Sequence, residues 1–125
     1  MSANTSRVTP FTGKIIQGKG LNLEDISTDD FNAAIQKHEM VLFRGFQCDP
    51  ITFGVFASNN SGRLLLDPTR KTDHNFVQKV VIGTDAIALH SEHSNSPFAP
   101  DYIWFYCSKA ARSEGQTTVA NGHTI

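Results

Sequence analysis

Tyr102-Ile103-Trp104-Phe105-Tyr106-Cys107 is the stretch that most restricts the fold. Six nearly unbroken apolar and aromatic residues, too short for a helix of ordinary length, predict a strand buried on both faces. Turn chemistry bounds it on either side. Ser94 to Asp101 is rich in Ser, Asn and Pro, and Ser113-Glu114-Gly115-Gln116 follows before Thr117-Thr118-Val119. Upstream, Val80-Val81-Ile82 and Ala86 to Leu89 lead to His90-Ser91-Glu92. On an extended strand residues i and i+2 face the same way, roughly 6–7 Å apart, so one imidazole and one carboxylate there reach a common metal ion. A His and a carboxylate, joined by a second His from elsewhere, form the facial triad of non-haem Fe(II) oxygenases. Taken alone, H-x-E is far more often a polar end of a strand than a metal site.

The remaining segments read from the amino terminus as a single domain. Met1–Pro10 is polar and is expected to be a frayed, disordered end. Phe11 to Ile16 predicts a short strand closed by Gly18 and Gly20. Ser27, with Asp30 three residues on, caps a helix over Thr28 to Lys37 whose Phe31, Ala34 and Ile35 share a face. Met40 to Phe43 predicts a buried strand, ended by Arg44-Gly45-Phe46. Asp49 then caps a second helix with Pro50 at its first position, and Ile51, Phe53, Val55 and Phe56 give it an apolar face. Asn59 to Gly62 breaks that helix, Asp67-Pro68-Thr69-Arg70 is a turn, and Phe76 to Ile82 predicts a further strand.

Composition excludes more than it identifies. A net charge of −1 over 125 residues supplies no electrostatic case for nucleic acid or an anionic membrane. Cys48 and Cys107 are too few for a disulfide scaffold, and no apolar stretch has the length of a signal core or a span. A cytoplasmic location is the expectation. Oligomeric state is not indicated.

Several ordered blocks, L-H-S-E, S-P-F-A-P-D, W-F-Y-C and E-G-Q-T-T-V-A-N-G, together with F-R-G-F and D-P-x-x-F nearer the start, resemble the taurine dioxygenase and clavaminate synthase-like family of Fe(II)- and 2-oxoglutarate-dependent oxygenases. The resemblance implies an α+β chain, the N-terminal part of a double-stranded β-helix (jelly-roll) fold, with residues 1–125 forming one partial oxygenase domain. It implies His90 and Glu92 as iron ligands, Thr117 as the hydroxyl that helps hold 2-oxoglutarate, and the Ser94 to Phe98 loop as substrate wall. Gln78 is a further candidate near the substrate, set against a plain hydrogen bond at a sheet edge. The implied partners are O₂ and a small-molecule substrate, with amino acids and their derivatives as the family-level candidates.

The family's second His and its 2-oxoglutarate-binding Arg fall in strands expected downstream of Thr117. His93 would face away from His90 on a continuing strand, His38, His74 and His123 fall in expected turns or loops, and Arg112 reads as a solvated charge. These readings leave two rivals to an active dioxygenase. One is a catalytically inactive fragment or interaction module of the same fold. The other is a zinc enzyme using His90 with His93 or Glu92, for which no closed tetrahedral ligand spacing is present.

Overall fold

A computed structural model describes residues 13–74, 76–80, 83–93 and 96–121. It opens with a β–α–β unit. Strand β1 (Lys14–Gln17) is followed by a 3₁₀ turn (Leu23–Asp25), helix α1 (Thr28–His38) and strand β2 (Val41–Arg44). β1 and β2 pair in parallel, Lys14 opposite Val41 through Gln17 opposite Arg44, which requires a crossover of the kind α1 supplies. The pairing continues past the strands: Gln47 N–H donates to Leu21 O at 2.8 Å, and Leu23 N–H donates to Gln47 O at 3.1 Å. Helix α2 (Pro50–Asn59) and the short antiparallel pair β3 (Thr72–Asp73) and β4 (Val77–Gln78) complete the regular elements described.

Both helices start where their caps place them. Ser27 Oγ accepts from Asp30 N–H at 3.1 Å, and Asp49 Oδ1 accepts from Thr52 N–H at 2.7 Å, with Pro50 at the first turn. These contacts satisfy backbone donors that a helix start leaves unpaired. The Thr52 N–H, helped by Asp49's other contacts in that turn, also holds the Asp49 carboxyl below its ordinary range. A depressed carboxyl stabilises the fold fully above the unfolded value near 4, and that contribution is lost as pH falls through the lower folded value. Asp49→Asn keeps a capping oxygen but cannot titrate. Its thermal midpoint is therefore expected to lie below wild type at neutral pH, with the gap closing between about pH 5 and pH 2. A gap independent of pH in thermal unfolding would show that the carboxylate contributes nothing by its charge.

The core is small and aromatic. Leu23, Phe31, Phe56 and Ala57 are buried, and Phe43, Phe46, Ile35 and Trp104 pack around them. Phe31 stacks on Trp104 with centroids 5.1 Å apart and meets the Phe56 ring edge-on at 5.9 Å, arrangements that ring quadrupoles favour. Two glycines permit close approaches. A Cβ on Gly18 would lie 2.4 Å from the Phe46 ring, and one on Gly54 would lie 3.0 Å from Val77. The second contact sets β4 against α2.

Three expectations change. In α2 the buried stripe is Gly54, Phe56 and Ala57, while Ile51 and Val55, one turn apart, are exposed, because the 3₁₀ turn and β4 pack on only one side. The strand predicted over Phe76 to Ile82 is confined to Val77–Gln78 among its described residues; Val81 and Ile82 lie outside them. The aromatic run Tyr102 to Cys107 belongs to no sheet among the described residues and is not buried on both faces. Its alternate residues divide. Trp104 donates to Ser61 Oγ at 3.1 Å, and the Tyr106 hydroxyl donates to Cys48 O at 2.9 Å while its ring stacks on Phe53. Ile103, Phe105 and Cys107 are exposed, Phe105 at 63%; Tyr102, at the start of the run, is exposed as well and falls outside this alternation. A two-residue period with one covered face is half of the expected burial.

The described chain is thus a small α+β arrangement with few strands, and none of its helices is long and apolar enough to cross a membrane.

Candidate metal centre

The His90 and Glu92 side chains lie close together, although the strand expected to carry them is not formed among the described residues. Residues 83–91 are in no strand, and Glu92 and His93 form a turn. His93 adopts φ 54°, in the left-handed region that His tolerates better than most residues, and Ser96 N–H closes the turn on His93 O at 2.9 Å. His90 Nε2 lies 3.5 Å from Glu92 Oε1, with both side chains open to solvent.

The other ring nitrogen determines what can sit between them. His90 Nδ1 lies 2.9 Å from Ala88 O. A carbonyl oxygen only accepts, so Nδ1 carries the hydrogen and Nε2 of the neutral ring presents its lone pair toward the carboxylate. Two electron-rich atoms facing each other call for a positive species, either a proton or a metal cation. Orientation of a ligating His through its second ring nitrogen is the usual support of a metal site. The donor set, one imidazole nitrogen and one carboxylate oxygen, fits a divalent iron that takes further ligands. Among the described residues no three His, Cys, Asp or Glu side chains group to hold a metal ion, so a third ligand would come from outside them.

The remaining candidates are dispersed. Thr117 is exposed, outside any strand, and no hydrogen bond links it to His90 or Glu92. Ser94 lies outside the described residues. Gln78 has its amide taken up by the chain itself. Its Oε1 accepts from Asp67 N–H at 2.8 Å, and its Nε2 donates to Asp67 O at 2.8 Å, Arg70 O at 3.2 Å and Thr72 Oγ1 at 2.9 Å. This side chain clamps the Asp67–Arg70 turn onto β3 and β4, closer to the sheet-edge reading than to the substrate one. Within the turn, the Thr69 hydroxyl and N–H hold the Asp67 carboxyl below its usual range, and Arg70 pairs with it at 3.2 Å. Gln78→Leu preserves bulk while stripping the partners of Asp67, and should destabilise by about 1–3 kcal/mol. Urea unfolding measures this; unchanged stability would return Gln78 to the substrate wall.

Sequence reading missed the shallow cleft beside this turn. It encloses about 220 Å³ and is lined by Arg63, Leu65, Leu66, His93, Ser96 and Phe98. The signal for it is the run of three leucines, Leu64 to Leu66, after Arg63, but Leu65 and Leu66 meet His93, Ser96 and Phe98 only in the folded chain.

A family model described as taurine catabolism dioxygenase TauD, TfdA family matches residues 7–125, nearly the whole chain. The chain belongs to this family. Membership carries with it dioxygenase chemistry in general, dependence on Fe(II) and 2-oxoglutarate, a jelly-roll oxygenase fold, and a small-molecule substrate with O₂. Comparison with curated proteins and with solved structures gave no match.

Proposed function

We propose that the protein is an Fe(II)- and 2-oxoglutarate-dependent dioxygenase that hydroxylates or desaturates a small organic substrate, an amino acid or a derivative of one. The observation that carries this reading is the His90–Glu92 approach, with Nδ1 committed to Ala88 O and the Nε2 lone pair aimed at a carboxylate. Iron with 2-oxoglutarate supplies oxidation of an unactivated C–H bond: in hydroxylation one O₂ is consumed, one oxygen atom entering the substrate and the other the succinate left when CO₂ departs. His90 Nε2 and Glu92 Oε1 hold the metal. Ala88 O orients the His90 ring through Nδ1 and leaves Nε2 directed to the cation. Thr117 supplies a hydroxyl donor to the far carboxylate of 2-oxoglutarate, joined by a cationic residue from outside those described. Ser94 and its neighbours border the substrate.

The test uses the intact protein with Fe(II), 2-oxoglutarate and ascorbate. Succinate release that requires iron, and is stimulated by one of a panel of amino acids and their derivatives, is the expected outcome. Iron binding without any succinate would overturn the catalytic reading.

A second reading is favoured by the uncovered apolar side chains Ile87, Leu89, Tyr102 and Phe105: a catalytically inactive interaction module of the same fold. In that case residues 1–125 bind iron weakly, because two protein ligands share the cost of ordering the site. The same experiment separates the two readings.

A further inference from the structure

A second cavity forms where the 3₁₀ turn, the start of α1 and the C-terminal half of α2 meet. It encloses about 320 Å³, within the roughly 300–1,000 Å³ of small-molecule sites. It shares no residue with the His90–Glu92 pair or with the cleft at Leu65 and Leu66. Ile26, Val55 and Phe56 supply apolar wall, and Glu24, Asn59 and Asn60 bring polar groups. No lysine, arginine or histidine among the described residues lines it.

Two of its polar groups call for a donor. Asn60 ends α2, and its backbone N–H and side-chain Nδ2 both donate to Phe56 O, at 3.2 and 2.8 Å. That bond turns Nδ2 toward the helix and leaves Oδ1, which is buried, with no hydrogen-bond donor among the described residues. A buried acceptor in this state is costly, and such groups ordinarily have a partner. Glu24 is exposed, and no basic side chain among the described residues lies within ion-pair distance of it. A helix start by itself favours anions. Here Asp29 and Asp30 fill the first turn of α1, and their two full charges outweigh the roughly half positive charge of the helix end. A carboxylate, an unsatisfied acceptor and an apolar wall around one cavity match a ligand with a positive charge, several N–H donors and a short hydrocarbon body. A primary ammonium group carries three such donors and accepts none.

We propose that this cavity binds a small primary-amine cation, its ammonium group shared between Glu24 and Asn60 Oδ1 and its hydrocarbon part against Ile26, Val55 and Phe56. The site is independent of the dioxygenase reading and needs neither iron nor 2-oxoglutarate.

Methyl-resolved NMR titrations of the intact protein test it with butylammonium, 1-butanol, butanoate and butyltrimethylammonium. Butylammonium should shift the Ile26 and Val55 methyl resonances. 1-Butanol should bind about two- to fivefold more weakly, the factor that an exposed ion pair supplies, and butanoate more weakly still. Butyltrimethylammonium keeps the charge but offers Asn60 Oδ1 no N–H, and should lose at least about fivefold. Glu24→Gln should bring butylammonium down to the level of 1-butanol, and Glu24→Asp should recover part of the difference. Unchanged aromatic NMR resonances of Phe31 and Trp104 in both variants establish that the fold is intact. No shift at Ile26 and Val55, equal binding of 1-butanol, undiminished binding of butyltrimethylammonium, or undiminished binding by Glu24→Gln would each overturn the proposal.

Discussion

Replacing either His90 or Glu92 by alanine is expected to abolish iron-dependent turnover of 2-oxoglutarate. The loss should exceed about a hundredfold, because residues that merely orient metal ligands already cost roughly ten- to a hundredfold when removed. Glu92→Gln sharpens the test. It keeps the size and one oxygen of the side chain but removes the negative charge, so iron affinity should fall nearly as far as in Glu92→Ala. Stability should barely move. His90 and Glu92 side chains are 56% and 36% exposed, and substitutions at such positions typically stay within about 0.5 kcal/mol. Iron content, succinate release and urea unfolding, measured on the same preparations, therefore separate a lost ligand from a lost fold. Near-normal decarboxylation with undiminished iron affinity in either alanine variant would show that the metal binds elsewhere.

Phe31→Ala should produce the largest loss of stability. Phe31 is 3% exposed and its ring touches those of Phe43, Phe56 and Trp104, so it links α1, β2, α2 and the aromatic run. Truncating a buried Phe to Ala costs about 3–5 kcal/mol, through lost transfer energy and the cavity left behind. Few side chains among the described residues are buried, and net stabilities of domains are only about 5–15 kcal/mol. The variant is expected to unfold at markedly lower urea concentration or to lack a cooperative transition. The Trp104 ring, packed on Phe31, reports the change directly by its fluorescence. A midpoint within experimental error of wild type would mean that the ring cluster is not the centre of the fold.

The local signals in the sequence were read correctly wherever a few neighbouring residues suffice to set the structure. Ser27 and Asp49 cap the two helices because each side chain bonds a backbone N–H three residues away, an interaction needing no distant partner. The elements β1, α1 and β2 follow from the same short-range logic, with Phe31 on the buried face of α1, while the parallel pairing of the two strands does not. The blocks from His90 to Gly122 pointed to the family, which the match over residues 7–125 bears out. His90 and Glu92 stand out through the resemblance to the family, and their side chains lie 3.5 Å apart although the strand expected there is not formed among the described residues.

What required the tertiary structure was every pairing between distant segments. Hydrophobicity marks Tyr102 to Cys107 as apolar but says nothing about which of its two faces finds cover. Here Trp104 and Tyr106 reach Ser61 and Cys48, while Phe105 remains outside. Gln78 is an unremarkable polar residue until the fold sets it against Asp67, eleven residues earlier, where its amide serves four hydrogen bonds. Caps and periodicity are written in neighbouring residues and survive reading one residue at a time; a clamp or a cleft exists only once chain closure has brought its walls together, and the identity of either wall alone does not specify the other.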